Sequence, residues 1–176
     1  MAKYQRIVTT EAGLKLLEAA YTGGTVVEFT SLKTGDGVYT GAEDLAAATS
    51  LKSVRQSFGI SGIFTESTQV KVRAVISNTT LTEGYGITEM GLFAKDQSGN
   101  EFLYAVIIAE VEDYLPAYSV VPTTITMEIY LDITEAESAT FAASEVDGTY
   151  VTVEDFNDYK DSIVPITTAE IDSVVG

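Results

Sequence analysis

The sequence predicts an α+β fold that is mainly β: an antiparallel β-sandwich with an N-terminal amphipathic helix and a C-terminal acidic helical tail. Three observations carry this. Apolar residues recur at helical spacing as far as Tyr21, they alternate with a period of two from about Val26 to Thr134, and beyond Thr134 acidic residues dominate. A chain of 176 residues holds one domain with a proper core and is short for two. The expected division is therefore a body over 1–135 and an appendage over 136–176.

The helix is predicted over Glu11–Tyr21. Leu14, Leu17 and Tyr21 fall on one face with Leu16 and Ala20 beside them. A threonine cap at Thr9 or Thr10, the early Glu11 at the positive end of the dipole and the Gly23-Gly24 stop supply both boundaries.

Strands follow. Val70, Val72, Ala74 and Ile76 alternate with Lys71, Arg73, Val75 and Ser77, and Ile125, Met127, Ile129, Leu131 and Ile133 alternate with Thr124, Thr126, Glu128, Tyr130 and Asp132. Such alternation belongs to strands with one face on a core and the other outward. Further strands are predicted at 26–33, 54–64, 86–94 and 102–110, with a turn at Asp96-Gln-Ser-Gly-Asn100. The stretch Gly35-Asp-Gly-Val-Tyr-Thr-Gly41 reads as a loop whose glycines supply positive φ, leading into an Ala-rich helical turn over 42–49. It is not a phosphate loop, because the Gly-Lys-Ser/Thr ending is missing and the local charge is negative.

Beyond Thr134, the acidic residues Glu135, Glu137, Glu145, Asp147, Glu154, Asp155, Asp158, Asp161, Glu170 and Asp172 are opposed only by Lys160. Thr152-Val-Glu-Asp155 opens a predicted helix with Val153, Phe156, Lys160 and Ile163 at three-four-three spacing, ending before Pro165. One short apolar seam is not stable alone in water. It calls for partner copies or a neighbour's groove, or else it folds back on its own body. Thr168 can cap a final short helix holding Ile171 and Val174, so the ending reads as a short terminus rather than the start of a shaft.

Composition narrows function. There are 26 acidic against 10 basic residues, a formal charge of −16, which would repel phosphate backbones and anionic lipid. No nucleic-acid partner is expected. No apolar run reaches the roughly 20 residues of a membrane-spanning helix, and no signal-type apolar segment follows Met1–Arg6. Neither membrane insertion nor secretion is expected, and the protein would be held in the cytoplasm until assembly or lysis. Histidine, cysteine and tryptophan are absent, which removes thiol nucleophiles, the usual zinc sites and Ser-His-Asp triads. A carboxylate pair remains chemically available, but no pair stands out. The chain is expected to be no enzyme, with no cofactor and no metal.

Three segments then carry a resemblance: Tyr4-Gln-Arg-Ile-Val-Thr-Thr-Glu-Ala-Gly13 leading into an Ala/Leu helix, Lys33-Thr-Gly-Asp-Gly37 after the first sandwich strand, and Ile87-Thr-Glu-Met-Gly-Leu-Phe93. In order and spacing over residues 3–135 they resemble the N-terminal baseplate-attachment domain of phage tail-collar fibre proteins, found in contractile-tailed phages and related bacteriocins. Gly35, Asp36, Gly37, Glu89, Met90, Gly91, Leu92 and Phe93 are the motif residues, read as structural. Gly91 leaves room for a neighbour's close approach or a bulge. Glu89 is either a buried carboxylate accepting from loop amides or an outward residue at an edge, and a lone Glu carries no catalytic weight.

The resemblance implies a virion structural protein of a phage tail. It would attach or adapt a tail fibre to the baseplate as a homotrimer, with baseplate wedge or tail proteins and a distal fibre or receptor-binding protein as partners. Its location would be the virion tail, after assembly in the bacterial cytoplasm. Family fibres usually continue into a repetitive shaft, so a chain ending at Gly176 favours an adaptor. The rival from another class is a carbohydrate-binding sandwich that uses some of the ten tyrosines on host glycans, although Tyr21, Tyr104 and Tyr130 lie in elements where packing explains them equally well.

Overall fold

The structure is a computed structural model that describes residues 3–4, 7–66, 68–133 and 139–144. The predicted helices of the acidic tail, with Val153, Phe156, Lys160 and Ile163, lie outside the described residues.

In chain order the elements are β1 (Lys3–Tyr4), β2 (Val8–Thr9), α1 (Glu11–Tyr21), β3 (Val27–Gly35), β4 (Val54–Thr65), β5 (Gln69–Ser77), β6 (Tyr85–Lys95), β7 (Glu101–Leu115), β8 (Thr124–Asp132) and β9 (Phe141–Ala143). The six predicted strands are β3 to β8. With β1 they form one hydrogen-bonded path, β1-β7-β6-β3-β4-β5-β8, with β2 on β7 and β9 on β3. The fold is thus mainly β with one short helix, and its strands make a curled sheet where a sandwich was expected.

β4 explains the curl. Its first half, Val54–Gly59, pairs with β3, while Ile60–Thr65 pairs with β5. The register shifts between Ile60 and Gly62. A bulge there adds twist and lets one strand turn a corner. The far strands β5 and β8 thereby share a core with β6 and β7: Val72, Ile76, Ile129 and Leu131 cluster with Ile87, Met90, Leu92 and Tyr104. At the centre Phe29 meets Tyr104 edge-on, with ring centroids 5.1 Å apart.

The alternation in β5 and β8 places the predicted residues inward. Val70, Val72, Ala74 and Ile76 are buried, as are Ile129, Leu131 and Ile133. Arg73 is buried on the other face, where its guanidinium donates to Glu128 at 2.9 Å and lies 4.7 Å from the Phe64 ring. Replacing Ile129 with Ala should cost about 2–5 kcal/mol in chemical denaturation. A cost below about 0.5 kcal/mol, as at an exposed position, would contradict the assignment of its face.

Three expectations need correction. The helix buries Gly13, Leu16 and Ala20, while Leu14 and Tyr21 are half exposed. A Cβ on Gly13 would lie 2.3 Å from the Tyr104 carbonyl oxygen, so the helix rests backbone-close on β7 through a residue with no hydrophobic signal. Residues 42–49 form turns and bends, not a helical turn. Finally, the sheet continues past residue 135. Phe141–Ala143 lie parallel to Val27–Phe29, the only parallel pairing among the described strands, and Phe141 stacks on Phe29 with centroids 6.2 Å apart.

β6 from Glu89 to Ala94 and β7 from Leu103 to Ile108 are buried on both faces. On their outer face Phe93, Leu103, Val106 and Ile108 form a second cluster with Leu51, which comes with Tyr39, Leu45 and Ala48 from the loop between β3 and β4. That loop forms the candidate site.

Candidate functional site

The loop over residues 36–53 leaves β3 through Gly35-Asp-Gly37 and returns into β4 through Lys52-Ser53. Glu89 projects from β6 into the space between these two ends and is 0 % exposed. It accepts three hydrogen bonds: from the Tyr39 hydroxyl at 2.5 Å, the Lys52 amide at 2.9 Å and the Ser53 amide at 2.6 Å. A buried carboxylate requires such donors to replace its water. Here they come from both ends of one loop.

The glycines give Glu89 its room. A Cβ on Gly35 would lie 2.1 Å from the Ser53 carbonyl oxygen and 2.6 Å from Glu89 Oε1, and one on Gly37 would lie 2.6 Å from the same Oε1. Neither has positive φ, in contrast to the turn conformation predicted for them. In this stretch only Gly41 does, at +83°. Thr88, the residue before Glu89, donates to the Gly37 carbonyl at 2.7 Å. Motif residues apart by more than 50 positions therefore close one clasp.

Around it lies a charged rim. Asp36 accepts from the Ser53 hydroxyl at 2.5 Å and from Arg55 at 2.7 Å. Lys52 Nζ donates to Glu43 at 2.5 Å and lies 4.2 Å above the Tyr39 ring. Burial, reinforced by the bond to Glu89, pushes the Tyr39 hydroxyl well above its ordinary range. The bond from Ser53, then Arg55, holds Asp36 below the usual carboxylate value, and the bond from Lys52, then the Thr40 amide, brings Glu43 down to about 2. Depressed carboxyl values stabilise the fold above the ordinary pKa, and that contribution is lost as pH falls through the folded value. The melting temperature should thus drop as pH goes from 4.5 to about 2, and Lys52→Met should flatten that slope. A slope unchanged by Lys52→Met would show that the Lys52–Glu43 pair does not carry this pH dependence.

At its other side the loop is tied to the helix. The Glu11 amide donates to the Ala46 carbonyl at 2.8 Å. Thr10 caps α1 by accepting from the Gly13 amide at 3.1 Å and donates its hydroxyl to the Leu103 carbonyl of β7 at 2.7 Å. All three segments singled out in the sequence thus converge on this loop and the two strands beneath it. Met90 and Leu92 face the first core, Phe93 faces the second, and an added Cβ on Gly91 would touch Leu103 and Leu51 at 2.8 and 3.0 Å.

A model of the phage tail-collar fibre protein N-terminal region matches residues 1–156. The chain belongs to that family. As a member it is a structural protein of the phage tail, and the family is not known for enzymatic activity. Comparison with curated proteins and with solved structures found no match.

Tyr39 and the loop seal Glu89 from solvent, and no group of three His, Cys, Asp or Glu side chains able to hold a metal exists among the described residues. No helix among them is long and apolar enough to cross a membrane. Tyr39, Lys52 and Ser53 escaped the sequence prediction. Two of the three bonds to Glu89 come from backbone amides, which leave no residue-type signal, though Tyr39 two positions after Gly37 was a visible hint.

Proposed function

We propose that this tail-collar fibre protein is an attachment module. It seats a tail fibre or receptor-binding protein on the baseplate as a homotrimer, with the seam of Val153, Phe156, Lys160 and Ile163 joining copies. The single observation behind it is the clasp. The three segments that carry the resemblance to the family bond to one another around the 36–53 loop, as a part that must keep its shape under load requires. Gly35, Asp36, Gly37, Glu89, Met90, Gly91, Leu92 and Phe93 then act as scaffold and not as contact residues. Assembly takes place in the bacterial cytoplasm, where the tail is built.

The test is reconstitution. Purified chain is mixed with tails assembled without it, sedimented, and quantified in the pellet. Saturable co-sedimentation in multiples of three copies is expected. Chain that stays in the supernatant yet binds sugars on a glycan array would favour the carbohydrate-binding alternative. For that alternative the ring of Tyr104 is lost to the core, and the Tyr130 hydroxyl is bonded to Glu128 at 3.0 Å.

A further inference from the structure

We propose that copies of this chain also meet through the rigid, uncharged loop between β7 and β8, so that the head supplies a contact between copies in addition to the tail seam. This rests on the oligomer proposed above. From Tyr114 to Met127 no residue is charged, in a chain of formal charge −16. Within that stretch Tyr118, Val120 and Val121 are 46 %, 71 % and 53 % exposed. Single exposed apolar residues need no explanation. Three within four positions, on a loop held in one shape, do.

Asn78 holds that shape. It is 1 % exposed, and its side chain is devoted to the loop: Nδ2 donates to the Pro116 and Val121 carbonyls at 2.9 and 2.7 Å, and Oδ1 accepts from the Thr123 amide at 2.8 Å. The Tyr118 amide adds a bond to the Leu81 carbonyl at 2.9 Å, and the Val120 amide one to Ala117 at 3.0 Å. A loop ordered in advance loses little entropy when it is covered.

Charge selects the occupant. A foreign protein adapted to this acidic surface would gain by setting basic groups against it, and this loop offers none a partner. Two copies of an acidic chain have the opposite need. Their net acidic charge opposes approach, and contact costs least where neither copy bears charge. The loop meets that condition and is apolar as well.

The full chain carrying Val120→Asp and Val121→Asp together should show its self-dissociation constant raised by roughly tenfold or more in sedimentation velocity over a concentration series, because carboxylates enter an apolar contact. Its thermal melt should stay near that of the parent, since both side chains are exposed. Tyr118→Ser adds no charge and reports on the same contact if the double variant unfolds. Unchanged association in these variants would overturn the loop contact alone. A parent chain that is monomeric at every concentration would overturn it together with the oligomer, whereas loss of association in Phe156→Asp only would keep the seam and discard the loop. Variants that assemble normally but no longer co-sediment with fibreless tails would assign the loop to a tail protein instead, against this proposal.

Discussion

Replacing Glu89 with Ala should destabilise the fold by about 3–5 kcal/mol, the usual cost of breaking a buried charged network. The change strands the Lys52 amide, the Ser53 amide and the Tyr39 hydroxyl, each of which bonds to the carboxylate, and it opens a cavity. For a domain of this size the melting temperature should fall by roughly 10 °C. Glu89→Gln keeps the volume but turns an amide NH2 toward one of these donors, so its cost should be smaller, about 1–3 kcal/mol. Hydrogen exchange adds a local readout, with the Lys52 and Ser53 amides exchanging faster in both variants. A Glu89→Ala protein as stable as its parent would show that the loop is held without the clasp.

Gly35→Ala is expected to cost about 2–3 kcal/mol or more, by overpacking. Its new methyl group would sit 2.1 Å from the Ser53 carbonyl oxygen, and backbone on the return arm of the loop does not yield as a flexible side chain would. Gly41→Ala is the control. Its φ of +83° disfavours alanine by about 1–2 kcal/mol, but nothing lies within 4 Å of the added atom. The ordering, with Gly35 worse than Gly41, separates close approach from backbone conformation. Equal losses in urea denaturation would mean that the clasp has room to spare.

How far the fold was legible depended on where each residue's signal came from. β5 and β8 were readable because apolar and polar residues alternate along Val70–Ser77 and Thr124–Asp132, even though Arg73 and Val75 of β5 are buried on the second face. The middle of β6 and the first half of β7 are covered on both faces, and Leu103–Ile108 reads as a continuous apolar run with no alternation to give its orientation. The helix was placed correctly along the chain and wrongly about its axis. Its closest contact is through Gly13, which no hydrophobic pattern registers, while the more apolar Leu14 faces outward. β9 is only three residues long and pairs through Phe141–Ala143, too short for any period. At the site, Glu89 and the glycines were visible as motif residues, with Glu89 open between a buried carboxylate and an outward residue. What brings them together, amide donors to Glu89 from Lys52 and Ser53 across more than 35 positions of sequence, required the fold.

We propose that this chain is a fixed part of the tail, seated where a fibre joins the baseplate. Electron microscopy of phage particles carrying a gold-labelled tag on this chain tests it most directly. The label should lie at the baseplate end of the tail, in groups consistent with three copies per attachment point. Label on the capsid, or unlabelled particles with the tagged chain free in the lysate, would contradict it.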